Sequence, residues 1–151
     1  KFHIQDVGLV TMTENPYFKV LSLKTLDILK EEGKEDQILN LKHFWHNNTT
    51  YVTTQVELQN KVKTKWLCEL FFNYYDDSGL LIGGSQEIGF VNSNNSTDEE
   101  YRITIKSKWG SEDPTVWLKD NYRVEVVFMD TVVAVLPFTH LSIFFILLRE
   151  N

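Results

Sequence analysis

The chain has 151 residues with 42% hydrophobic and 13% aromatic side chains, enough to build the core of one domain and too apolar for a disordered segment. Its formal net charge of -6 opposes contact with phosphate backbones, which argues against a nucleic-acid partner. A single cysteine, Cys68, rules out an intrachain disulfide framework and a zinc site made of several cysteines.

In the first fifty residues, Phe2 and Ile4, followed by Val7 and Leu9, suggest one strand, and Phe18, Val20 and Leu23 a second. Residues 26–32 read either as a helical turn stopped by Gly33 or as strand running into a charged hairpin tip over 31–36. Residues 38–45 read as strand. From Tyr51 onward the pattern has period two. Val52, Thr54, Val56 and Leu58 alternate with polar residues. Then Val62, Thr64, Trp66, Cys68, Leu70, Phe72 and Tyr74 mark one face of a long strand, with Lys61, Lys63 and Lys65 opening the other. Asp76-Asp77-Ser78-Gly79 is a turn signal. Residues 80–82 and 88–91 read as two short strands separated by a bend at Gly83-Gly84, and residues 91–98 as a polar loop. Tyr101, Ile103 and Ile105 predict a strand, and 109–114 a connection. The last hairpin sets Tyr122, Val124, Val126 and Phe128 against Val132, Ala134, Leu136 and Phe138, turning at Asp130-Thr131. Short strands with frequent turn signals point to a sandwich or barrel.

The motifs of catalysis are missing. No glycine loop is followed by Lys-Ser or Lys-Thr, and Ser85 after Gly83-Gly84 has no marked base. His43 and His46, three apart, share a face only on a helix, and their segment reads as strand, so no metal site is expected. The carboxylates at 76–77, 98–100 and 112–113 lie in polar loops where adjacent acids stay solvated. Cys68 lies in an apolar run and reads as a core residue. No cofactor is expected. Trp109 and Trp117 flank a connection and are the candidates for stacking a sugar or other small ligand. No signal peptide is legible, and the apolar run 141–148 is shorter than the roughly 20 residues of a membrane helix. The expectation is a cytoplasmic protein that does not enter a membrane.

The stretch Phe72-Asn73-Tyr74-Tyr75-Asp76-Asp77-Ser78-Gly79, with Trp109-Gly110-Ser111 and the run from Trp117 through Tyr122-Arg123-Val124-Glu125-Val126-Val127-Phe128-Met129-Asp130, resembles an uncharacterised immunoglobulin-like β-sandwich attached to some bacterial AAA+ ATPase proteins. The resemblance covers a little over half the chain, and its motifs are structural. It implies a docking module beside a motor and carries over no nucleotide-binding residue.

The resulting expectation is an all-β, immunoglobulin-like antiparallel sandwich over 51–140, with a β-rich extension over 1–50 packing on it and an apolar tail over 141–151. The expected function is noncatalytic: docking to a protein partner or to another domain of a larger chain. The alternative is a small-ligand or carbohydrate-binding module. Leu67, Phe71 and Tyr75 are the candidate interaction residues, because they lie opposite the core face of the long strand and yet are apolar or aromatic. Their cover is either the first fifty residues, through Phe18, Val20 or Phe44, or a partner.

Overall fold

The alternating stretches form nine strands among the described residues: β1 (Phe18–Leu29), β2 (Gln37–Asn40), β3 (His43–Trp45), β4 (Tyr51–Asn60), β5 (Trp66–Asp76), β6 (Leu81–Val91), β7 (Arg102–Gly110), β8 (Asn121–Phe128) and β9 (Thr131–Leu141). The structure is a computed structural model that describes residues 14–29, 32–35, 37–40, 43–45, 51–62, 64–91, 102–111, 117 and 121–141. The strand expected from Phe2 to Leu9 and the tail after Leu141 lie outside them.

Two sheets pack face to face. One has the order β2-β1-β4-β7 and the other β3-β9-β8-β5-β6. Neighbours are antiparallel except β3, which runs parallel to β9. The all-β sandwich expected from the sequence is therefore the fold. Its core draws Leu23 of β1, Val56 and Leu58 of β4 and Ile105 of β7 from one sheet, and Leu70, Phe72, Val124, Val126 and Leu136 from the other. Full burial of such side chains contributes about 1.5–3 kcal/mol each.

Several boundaries differ from the sequence reading, each for a local reason. β1 lies between β2 and β4, so the boundary expected near residue 50 falls between hydrogen-bonded strands of one sheet. Of the two readings for 26–32, the hairpin holds: Leu29 pairs with Gln37 across a turn in which Gly33 has φ +79°. The single strand expected over 38–45 is two short edge strands in different sheets among the described residues.

The long strand starts at Trp66 rather than near Val62, because the buried Asn60 organises a turn there. Its Nδ2 donates to the Val62 carbonyl (2.6 Å), and its Oδ1 accepts from the Val62 N–H (2.9 Å) and from Trp66 Nε1 (3.1 Å). The lysines thus form no stripe on a strand. Lys61 sits in the connection, its backbone N–H donating to the Tyr17 carbonyl and its Nζ to the Asn15 carbonyl; Lys65 is exposed in the same connection. Lys63 is outside the described residues.

The β5–β6 turn is held by the buried Asp76, whose Oδ1 accepts from the Ser78 N–H, the Ser78 hydroxyl and the Leu80 N–H. Gly83-Gly84 makes no break, and β6 is one continuous strand. A Cβ at Gly83 would strike the Trp109 ring, and one at Gly89 would come within 2.8 Å of Ile103 and Ile105 side-chain atoms. These glycines let β7 side chains close down onto β6. In the last hairpin the turn is Met129-Asp130, one residue earlier than expected, with both residues at positive φ (48° and 62°). A register shift beside it leaves Val132 on the outer face and buries Val133.

Candidate docking face

The outer surface of the five-stranded sheet follows from strand register. On β5 it carries Leu67, Glu69, Phe71, Asn73 and Tyr75, and their partners on β6 are Phe90, Ile88, Gln86, Gly84 and Leu81. On the other side of β5, Phe71 pairs with Val127, Asn73 with Glu125 and Tyr75 with Arg123, and Val127 pairs with Val132 of β9.

The face divides along the strands. Toward the Met129-Asp130 turn it is apolar: Leu67 is 64% exposed, Ile88 60%, Phe90 56% and Phe71 40%, with Met129 and Val132 exposed beside them. Fully exposed side chains of this size offer roughly 150–250 Å². Leu67, Phe71, Ile88, Phe90 and Met129 together therefore leave about 500 Å² of apolar surface in water, in the range where a monomer's largest patch is often functional. Toward the Asp76 end the face is mixed, with Leu81 exposed beside Tyr75, Arg123 and Glu125. The Arg123 guanidinium lies 4.4 Å from the Tyr75 ring centroid, and its Nε donates to Glu125 Oε2 at 2.7 Å. Tyr75 is half-buried there and already engaged.

Of the three residues singled out from sequence, Leu67 and Phe71 lie together on the apolar end, and Tyr75 belongs to the mixed end, opposite Leu81. Phe18 and Val20 do not cover them, because both are core residues of the opposite sheet. The side chain of Phe44 lies outside the described residues. Sequence reasoning missed Ile88, Phe90 and Met129. The alternation Gln86, Ile88, Phe90 was readable, but dividing β6 at Gly83-Gly84 hid that this set continues the β5 outer face.

The two candidate stacking residues differ in exposure: Trp117 is buried and Trp109 only partly so. Trp117 is 3% exposed, its edge against Tyr122 and Phe138 and its ring stacked on His140 at 4.8 Å. Trp109 is partly buried over Tyr74, at 5.5 Å, and over Gly83, which pairs with Tyr74 across β5 and β6. Trp117 is in the core and Trp109 packs against it, beside a chain of hydroxyls: Thr54 Oγ1 lies 2.8 Å from Tyr74 Oη, Tyr74 Oη 3.1 Å from Ser107 Oγ, and Ser107 Oγ 2.6 Å from Ser85 Oγ. This chain joins the two sheets and ties up Ser85.

Burial pushes the Cys68 thiol up to about 12, so it stays protonated and unreactive at neutral pH. Among the described residues no group of three or more His, Cys, Asp or Glu side chains could hold a metal ion. His43 lies in β3, and His46 is outside the described residues. No protein-family model matches the chain, and a search of curated proteins found no similar sequence.

Proposed function

We propose that this chain is a noncatalytic interaction domain that docks a protein partner, or another domain of its own assembly, on the apolar end of the outer β5–β6 face. The observation that carries this reading is the exposure of Leu67, Phe71, Ile88 and Phe90 side by side on one sheet, with a polar rim at Tyr75, Arg123 and Glu125. An apolar centre with a polar rim is the anatomy of a protein interface.

An immunoglobulin-like relationship is supported by the strand order and by Tyr122. That buried residue opens β8, where immunoglobulin-like sandwiches place a tyrosine at the corner. An accessory role in an ATPase-associated, cytoplasmic assembly, with no cofactor, is part of the proposal and rests on the sequence resemblance alone. The ligand-stacking alternative has less support, because Trp117 is buried in the core and Trp109 is partly buried against it.

Leu67→Ser and Phe71→Ser on β5 test the docking face. Each should shift the melting temperature by no more than a degree or two and abolish cross-linked capture of the native partner by the intact chain. Melting temperatures lowered as by a core substitution would make the face part of the fold. Undiminished capture would move the interface elsewhere.

A further inference from the structure

The free edge of β6 carries a second observation, separate from the β5 face. Among the described residues, β6 pairs only with β5, so its other side presents a row of unpaired backbone donors and acceptors along eleven residues. Such edges are ordinarily guarded by lysines, prolines or a covering element. β6 reads Leu-Ile-Gly-Gly-Ser-Gln-Glu-Ile-Gly-Phe-Val and holds no proline and no basic residue. Its one charge is Glu87, partly buried on the face turned toward the core. Gly83, Gly84 and Gly89 add no side chain of their own to the edge; the side chains packed over Gly83 and Gly89 are Trp109, Ile103 and Ile105 of β7.

We propose that β6 pairs antiparallel with β6 of a second copy of this chain, with the two-fold axis at Gln86, joining two five-stranded sheets into one of ten. The segment is self-complementary about that residue. Antiparallel pairing centred on Gln86 sets Ser85 opposite Glu87, Gly84 opposite Ile88 and Gly83 opposite Gly89. Each carboxylate then meets a hydroxyl of the other copy rather than its own equivalent, which avoids the like-charge contact that destabilises cross-strand pairs. Each exposed Ile88 lies beside a glycine that does not contest its space. The register runs cleanly until the irregularity between Gly83 and Leu81, which ends it on both sides. A two-fold axis makes this contact closed, so it yields a dimer rather than a filament. The chain's net charge of -6 opposes association in general, but this edge contributes only Glu87 to it.

The test uses the intact chain. Sedimentation equilibrium between roughly 1 µM and 1 mM should show the mass rising from 17.7 kDa toward twice that value. Ile88→Lys and Phe90→Lys place exposed charges on the edge and should leave the protein monomeric with an unchanged melting temperature. Gln86→Cys should form an intermolecular disulfide under oxidised glutathione. Residues facing each other across antiparallel strands have Cα atoms about 4.5–5.5 Å apart, within reach of a disulfide. Thr104→Cys, exposed on β7, is the control and should not cross-link at the same rate. A monomer at every concentration overturns the proposal. So does a dimer indifferent to the lysine variants, or cross-linking no faster at position 86 than at 104. The variants on β5 leave this edge intact, so failure of the dimer and failure of the docking face are read separately.

Discussion

Removing one oxygen from the hydroxyl chain between the sheets tests how the core is held. Tyr74 is fully buried, and its hydroxyl lies 2.8 Å from Thr54 Oγ1 and 3.1 Å from Ser107 Oγ. Tyr74→Phe deletes both contacts. Ser107 keeps Ser85 at 2.6 Å, whereas the buried Thr54 hydroxyl loses its bond to the opposite sheet. A net hydrogen bond contributes about 1 kcal/mol, and a buried group left unsatisfied costs about 1–3 kcal/mol. The expected loss is therefore about 2 kcal/mol. In a chain of this length that corresponds to a drop of roughly 4–8 °C in melting temperature. Tryptophan fluorescence is a suitable probe, because Trp109 stacks on the Tyr74 ring. Adding Thr54→Val removes the orphaned hydroxyl, so the double variant should be at least about 0.5 kcal/mol more stable than the sum of the single losses predicts. A melting temperature within about one degree of the parent's for Tyr74→Phe would refute the reasoning. So would strict additivity in the cycle, since the bond between the sheets would then carry no coupling.

The Met129-Asp130 turn holds two non-glycine residues at φ 48° and 62°. Such conformations favour Asn and Gly, so Met129→Asn with Asp130→Gly should stabilise the fold by about 1 kcal/mol, read as a rise in the urea midpoint at constant slope. Cys68 sets an alkaline limit. Its thiol is raised by burial from 9.0 to about 12, so above pH 9 the unfolded chain gives up a proton that the folded chain keeps. The unfolded state then binds fewer protons, and stability falls as pH rises through 9–12, by up to about 1.4 kcal/mol per pH unit. Urea midpoints from pH 7 to 10 should fall less steeply in Cys68→Val than in the parent chain, and identical profiles would count against a buried thiol.

Legibility in the sequence followed from how far each feature depends on its own strand. The inward sets of β4, β5 and β8 were readable because burial on one face imposes a period of two on the residues of that strand alone. Strand ends were harder to read. The alternation Val62, Thr64, Trp66 continues unbroken through a turn that exists because Asn60 reaches back to Val62 and Trp66. Gly83-Gly84 looked like a bend, since a glycine pair carries no sign of which ring will pack on it, and Trp109 arrives from twenty-six residues away.

The docking face shows the same division. That Leu67 and Phe71 lie opposite the core set of β5 follows from alternation within a single strand. That Phe90 and Ile88 lie beside them, that β1 enters the other sheet instead of covering them, and that β6 is the edge strand of its sheet among the described residues depend on which strands pair and in what register. Pairing joins backbone groups far apart in the chain, and backbone groups are chemically alike at almost every residue, so side-chain pattern constrains the face a strand buries more tightly than the neighbour it finds.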